Sequence, residues 1–536
     1  MNAPNSRTLA DLLFEQAERY AGAPAVICGD RVISYTELAQ RAGRVAAGLR
    51  NLGVRRGDRV GVLINNRLEW LEAFFGATIV GAVVVALSTW SKRDELAWLL
   101  EDSEVSVLIA LDRYGDQHFA EDLRALIPEA AAGAGWRSAA YPRLRNVILI
   151  GGAGFQSYAD LAAAEPLGRL PPGDGPSAAD DAIIIYTSGS SSRPKAVPLA
   201  QYGIVENGFN IGERQGYQAG ERVLLAPPLF WSFGCANAMS AVLTHGGTLV
   251  LQGRFEAAEA ITLIERHGCT ALYTLPSITA AIVSHPEFSP DRVRTLRKGV
   301  TIGAPQDVIT AATVLGASEI CNVYGQTESY GNCCVTPHDW PLERRAHSQG
   351  PPLPGVQIRI VHPETGAALP PGEDGLIEVR GYLLRGYQGS SASQDAAALT
   401  ADGFFRTGDS GHLTGAGDLV FAGRVSEMIK KGGINISPAE VEDILMRHPA
   451  VAQAGVVGIP DRNQGELLAA FVVLKPGSAS TPEELVAHCR AVASRYKVPD
   501  TIEIRVALPV TATGKLMRRD LKQIAVDQNA ERKSVA

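Results

Sequence analysis

A chain of 536 residues is longer than one hydrophobic core sustains, so two or more domains are expected. Hydrophobic residues make up 46% and charged residues 20%, which excludes a disordered chain. The net charge of −7 favours solubility and gives no footing for nucleic acid as a partner.

Met1 to Glu15 has no basic segment leading into an apolar stretch, so no signal peptide is expected. The pattern then predicts a strand over Arg59–Ile64, a helix over Glu69–Ile79 and a strand over Val83–Leu87. A helix over Asp94–Leu100 and a strand over Val105–Leu111 follow, and this alternation predicts layered α/β structure with largely parallel sheet. Ala73 to Leu87 is apolar or small throughout but falls short of the ~18–20 residues that span a bilayer. Gly76 and Gly81 interrupt it, so it reads as a buried helix, a glycine cap and a strand, with no membrane span. Seven cysteines without a CxxC pair, two of them the adjacent Cys333 and Cys334, suit a reduced, cytoplasmic protein. The ten histidines form no HxxxH pair, and zinc is not expected.

The predicted strand Val147–Ile150 runs into Gly151-Gly152-Ala153-Gly154, but Ser157 stands where a dinucleotide fingerprint needs its third glycine. An NAD site is therefore rejected. Leu170 to Ser177 reads as a surface connector. Strand texture returns at Arg222–Leu225, Thr248–Leu251, Ala271–Thr274 and Ile320–Val323. From Leu353 the style changes: Val356–Val361 and Gly375–Arg380 alternate between turns and predict a compact antiparallel subdomain. A boundary is expected near Gly423–Glu427. Beyond it a helix opens with Pro438 at its first position. Strands Val451–Ile459 and Leu468–Leu474 and a helix over Pro482–Tyr496 complete a small α+β unit. The charged end, from about Ala525, is expected to fray.

The densest chemistry lies at Tyr186 to Ala196. A buried-strand signature, Ala182-Ile183-Ile184-Ile185, leads into Thr187, Ser188, Gly189, Ser190, Ser191 and Ser192, and then Lys195. Hydroxyls, backbone N–H groups and a lysine cation together suit a phosphate. A Walker A loop is excluded, because Pro194 replaces its second glycine and Ala196 follows the lysine. By themselves these residues leave two readings open, a phosphate cradle and a serine-rich surface turn.

Further on come Thr301-Ile302-Gly303-Ala304-Pro305, Asn322-Val323-Tyr324-Gly325-Gln326-Thr327-Glu328 and Phe405-Arg406-Thr407-Gly408-Asp409. Gly423-Arg424-Val425-Ser426-Glu427 and Thr513-Gly514-Lys515 complete the series. In order and spacing these pieces resemble the acyl-adenylate-forming superfamily, most of all acyl-CoA synthetases, from about Thr8 to about Leu521. The resemblance implies a large N-terminal domain of layered α/β sheets with a small β subdomain (1–423), a hinge (424–427) and a small mobile α+β domain (428–536). It implies ATP, CoA and a carboxylic acid as small-molecule partners, with Mg2+ as cofactor.

It also implies roles. Thr187, Ser188, Gly189, Ser190, Ser191 and Lys195 would hold the β- and γ-phosphates. Thr327 and Glu328 would meet the α-phosphate and magnesium. Tyr324 would stack on adenine, with Gly303, Ala304 and Pro305 along its other face and Asn322 and Gly325 beside it. Asp409 would accept from the ribose hydroxyls, helped by Arg424, and Lys515 would reach the reacting carboxylate and α-phosphate. Ser426 matches the hinge residue, where aspartate or lysine is more usual. Lys431 and Gly433 would meet CoA. Glycines usual in the family are Ser192 and Ala196 here.

The segment Leu229 to Asn237 resembles the family's acid-specificity segment, so Trp231, Phe233, Asn237 and Gly303 would line the acid. Ser232 stands where amino-acid-activating relatives hold an ammonium with aspartate; a buried unpaired ammonium is costly, so α-amino acids are disfavoured. The leading reading is an ATP-dependent acid:CoA ligase for an aryl, alicyclic or medium-chain acid. The rivals are a stand-alone enzyme loading a separate carrier protein and a non-catalytic nucleotide-binding relative.

Overall fold

The computed structural model describes residues 3–535 apart from 133–134, 172, 188–193, 390–397, 425–426, 432–433, 462–464, 494–496 and 512–515. Two large sheets dominate the first 350 residues. One runs in the order Cys334–Val335, Cys321–Tyr324, Lys298–Thr301, Ala271–Tyr273, Arg222–Leu225, Thr248–Leu251, Pro24–Cys28, Arg31–Ser34. The other runs Gln156–Ser157, Asn146–Ile150, Val107–Leu111, Arg59–Leu63, Val83–Ala86, Asp181–Thr187, Lys195–Ala200. Pairing within both is parallel except at edges: Arg31–Ser34 and Cys334–Val335 in the first, Lys195–Ala200 in the second.

Burial explains why the strands read as unbroken apolar runs. Side chains alternate faces along a strand, and here each face of the first sheet has its own core. Val26, Val223, Leu225, Leu249 and Leu251 join one cluster, while Ile27, Leu224 and Val250 join another with Ile261, Ile264 and Val308. A parallel sheet covered on both faces has no polar side to show. In the second sheet Val84, Val85 and Ala86 pair with Ile183, Ile184 and Ile185. This register seats the strand that feeds the serine-rich loop between Val83–Ala86 and the edge strand Lys195–Ala200.

Helix Leu68–Ile79 and strand Val83–Ala86 turn about Gly81 at φ +73, as the apolar run predicts. No helix among the described residues is long and apolar enough to cross a membrane. Gly151 and Gly152, against Asp112, and Gly154, against Arg124, take left-handed conformations rather than opening a helix. All seven cysteines are free thiols, and only Cys28 is not buried.

Strands Gln357–Val361, Gly375–Arg380, Phe405–Leu413 and Leu419–Arg424 form the expected antiparallel sheet. After it, Ile434–Ile436, Ile429–Lys431, Gly465–Leu474 and Val451–Asp461 form a further sheet, with Thr501–Arg505 as its fifth strand on Gly465–Leu474. Helix Pro438–Met446 does begin at its proline. One expectation is corrected: the chain end does not fray from Ala525 but continues as helix Arg518–Val535. Leu521 and Ala525 lie buried with Val457, Ile459 and Phe471, so a local excess of charge is outweighed by an apolar stripe that finds a sheet.

Candidate active site

Strands Asp181–Thr187 and Lys195–Ala200 form a hairpin in which Thr187 and Lys195 are partners. Ser188, Gly189, Ser190, Ser191 and Ser192, between them, lie outside the described residues. The Lys195 ammonium sits 4.8 Å from the Tyr387 ring centroid, a cation–π contact. The Tyr387 hydroxyl donates to Glu328 Oε1 at 3.0 Å. The same stretch of chain bonds both neighbours through its backbone: Leu384 N–H to Glu328 O at 2.8 Å, Gln388 N–H to Ala196 O at 3.1 Å. Residues 384–388 thus strap the serine-rich hairpin to the Thr-Glu motif. Sequence reasoning missed Tyr387, although an aromatic between Gly386 and Gly389 was a usable signal. Tyr387→Phe keeps the ring beneath Lys195 and loses the bond to Glu328, worth about 1 kcal/mol. An increase of about fivefold in the apparent KM for ATP is expected, checked by steady-state titration.

Thr327 and Glu328 lie on the short 3-10 turn Thr327–Ser329, just after strand Cys321–Tyr324. Ser329 closes this turn, accepting from Gln326 N–H at 3.1 Å and donating to Gln326 O at 3.1 Å. Glu328 is half-buried and presents a hard oxygen donor. Among the described residues no cluster of three histidine, cysteine or acidic side chains surrounds it. A single carboxylate suits Mg2+, which keeps waters and substrate phosphates as its other ligands.

Asp409 organises the nucleotide-motif residues. It is 2% exposed, and its Oδ2 accepts from the Tyr324 hydroxyl at 2.8 Å and from Gln326 Nε2 at 2.5 Å. Gln326 Nε2 also donates to Thr407 O at 2.9 Å. Arg424 Nε lies 3.1 Å from Asp409 Oδ1. Burial, and then the Asp409 charge, hold the Tyr324 phenol well above its ordinary range, so it stays a donor. The Tyr324 ring packs 5.6 Å from Phe421 and leaves little of its face exposed. Gly325 lies against the Gly331 carbonyl, where a Cβ would come within 2.2 Å. Gly303, Ala304 and Pro305 form the entry to helix Pro305–Thr313 and are half-buried. Asp307 accepts from Ala304 N–H at 2.9 Å, and burial pushes its carboxyl up to about 6.

Two expectations need correction. Asn322 is fully buried; its Nδ2 donates to Ser348 O at 3.1 Å and its Oδ1 accepts from Val323 N–H at 3.0 Å. Its side chain braces the strand instead of facing a ligand. Lys431, expected at CoA, is 9% exposed and gives its ammonium to both Asp500 oxygens at 2.7 Å. A buried, paired ammonium is part of the scaffold, and Asp500 also accepts from Leu468 N–H at 2.7 Å. Ser426, Gly433 and Lys515 lie outside the described residues.

The segment Leu229–Asn237 meets the Thr327-Glu328 turn directly. Ser232 Oγ and Thr327 Oγ1 are 3.1 Å apart. Phe233–Met239 follows as a π-helical stretch, a form that recurs at functional sites. Phe233 packs 5.1 Å from Tyr273, and Trp231 sits edge-on to Trp90 at 5.0 Å. Trp90, in the loop after Val83–Ala86, was not foreseen. Burial pushes the Cys235 thiol up to about 12, which makes it a packing group rather than a nucleophile. Asn237 is fully buried. A separate hollow of about 460 Å3, lined in part by Phe209, Arg214 and His338, contains none of these motif residues.

Residues 13–388 match the family described as AMP-binding enzyme, and residues 440–515 match the AMP-binding enzyme C-terminal domain. The chain belongs to the AMP-binding enzyme family. It is 32% identical to a Bacillus subtilis protein named as an acyl-CoA synthetase, YngI, over 97% of each chain. It is 33% identical to feruloyl-CoA synthase of Amycolatopsis, covering 94% of this chain and 96% of that one. Its fold superposes on an anthranilate CoA ligase, AuaEII, solved with anthranoyl-AMP, at a TM-score of 0.86 and 27% identity, over 98% and 99% of the two chains.

Proposed function

We propose that the chain is an ATP-dependent carboxylic acid:CoA ligase acting on an aryl, alicyclic or medium-chain acid. One observation carries this reading: the 3.1 Å contact between Ser232, on the acid segment, and Thr327, on the phosphate motif. A contact between those two segments supports an acid held beside a triphosphate, and proximity of that kind is a large part of catalysis. The names of the acyl-CoA synthetase, feruloyl-CoA synthase and anthranilate CoA ligase relatives support the same reaction class.

In the first step a carboxylate oxygen attacks the α-phosphorus and the bond to the pyrophosphate oxygen breaks, giving acyl-AMP and pyrophosphate. Thr327 and Lys515 face the charge that builds on the α-phosphate. Lys195 and the serine-rich loop hold the departing pyrophosphate. Glu328 would hold Mg2+, which would supply charge neutralisation at the phosphates. Asp409, with Tyr324 and Arg424, positions the nucleoside. In the second step the CoA thiol, its proton lost to solvent, attacks the acyl carbonyl, and AMP leaves. The domain after the 424–427 hinge turns between the steps, and Gly433 lets the thiol arm pass close to the backbone. The cytoplasm is the setting consistent with seven free thiols.

A panel of aryl, alicyclic and C5–C10 acids tests the assignment. Acid-dependent pyrophosphate exchange without CoA and acid-dependent AMP release with CoA are expected for the same acids. Exchange without any CoA-dependent release would assign a different acyl acceptor, such as a carrier-protein thiol. Absence of both would overturn the ligase reading.

A further inference from the structure

Asn237 has nothing to bind. Among the described residues it is the only carboxamide whose nitrogen and oxygen are both buried without a hydrogen-bond partner, and the residue is fully buried. Folded proteins rarely leave such a group unmatched, because burying an amide without partners is costly. It forms no hydrogen bond with Asn332, which follows Gly331, or with Asn207. Asn207 Nδ2 donates to Asn332 O at 2.9 Å, while Asn207 Oδ1 and Asn332 Nδ2 are themselves buried without partners.

The position of this amide gives it meaning. Ser232, at the head of the acid segment, touches Thr327; Asn237, five residues on, lies against Gly331, four residues beyond Thr327. The amide sits so close that a Cβ on Gly331 would come within 2.4 Å of Asn237 Nδ2. The two segments therefore run side by side, with the phosphate motif at one end and Asn237 at the other. The π-helical stretch rises less per residue than the ~1.5 Å of an α-helix, so five residues keep the ends within about 8 Å of each other. Phe233 and Tyr273 supply apolar surface along the way.

We propose that Asn237 reads a hydroxyl at the far end of the acid, so that the preferred substrates are hydroxy acids with the hydroxyl within about 8 Å of the carboxyl carbon. This rests on the ligase reading above. An amide with both ends unmatched is satisfied by one group that donates to Oδ1 and accepts from Nδ2, and a hydroxyl does both. A charged tail is disfavoured, since a neutral amide cannot compensate a buried charge.

The test measures acid-dependent pyrophosphate exchange on the wild-type protein and on Asn237→Leu with three matched pairs. These are benzoic and 4-hydroxybenzoic, cinnamic and 4-hydroxycinnamic, and hexanoic and 6-hydroxyhexanoic acids. In at least one pair the wild-type protein is expected to favour the hydroxylated member by about 10–100-fold in kcat/KM. In Asn237→Leu that ratio is expected to fall to one or below, because leucine is similar in size but has no polar atom. If Asn237→Leu does not fold, the wild-type ratios decide, together with a larger rise in wild-type Tm from the hydroxylated acid at equal concentration. Plain acids that match or exceed their partners in all three pairs would mean that water satisfies the amide. The inference would then fall while the exchange itself upheld the ligase reading. If no acid drives exchange, the ligase reading falls and this inference with it.

Discussion

Lys515→Ala is expected to abolish acid-dependent pyrophosphate exchange while leaving thioester formation from supplied acyl-AMP largely intact. Negative charge grows on the α-phosphate as the carboxylate attacks, and a cation placed there stabilises the transition state more than the bound substrates. Removal of one such preorganised contact costs about 10²–10³ in rate. The thioester step breaks the acyl C–O bond without forming pentavalent phosphorus, its charge building on the carbonyl oxygen before passing to the phosphate oxygen that leaves with AMP, so it does not need the same lysine in the same place. Single-turnover assays of each half-reaction, with the apparent KM for ATP measured alongside, separate the alternatives. A large fall in the exchange rate with KM nearly unchanged would mark a contact made only in the transition state. Equal losses in both halves would assign Lys515 a structural role and would also remove the case for a domain that turns between steps.

The sequence makes the framework legible because most of its strands are buried on both faces. Val83–Ala86 and Ile183–Ile185 are β-branched or small throughout, since neither side of that sheet meets water. Proline signals were equally local, and helix Pro438–Met446 starts where its proline predicts. The misreadings came from partners distant in sequence. Lys431 reads as a CoA contact, yet it is paired with Asp500, 69 residues away. Asn322 belongs to a motif that suggests ligand contact, but its amide is taken by Ser348, 26 residues on. Tyr387 acquires its place only because the chain returns to cross Ala196 and Glu328. Trp90 reaches Trp231 from another sheet. Periodicity reports which face is buried and says little about which polar group a buried side chain meets.

Asp409→Ala is expected both to destabilise the fold and to weaken ATP binding. The carboxylate is 2% exposed, and its loss leaves the Tyr324 hydroxyl and one Gln326 N–H without their acceptor. Each stranded donor costs about 1–3 kcal/mol. Arg424 adds less, because its side chain is 45% exposed and water can solvate it once its partner is gone. A total of about 2–6 kcal/mol in unfolding free energy follows, checked by urea titration. If Asp409 also receives the ribose hydroxyls, the apparent KM for ATP rises by a further factor of ten or more, since a charged acceptor contributes about 1.5–3 kcal/mol per bond. Tyr324→Phe separates the two effects, because it removes one contact of the same network and leaves the carboxylate in place. It should reproduce part of the stability loss and little of the KM change. A variant Asp409→Ala that unfolds more readily but binds ATP as well as the wild-type protein would confine the carboxylate to holding Tyr324 and Gln326 in place. The ribose would then need another acceptor.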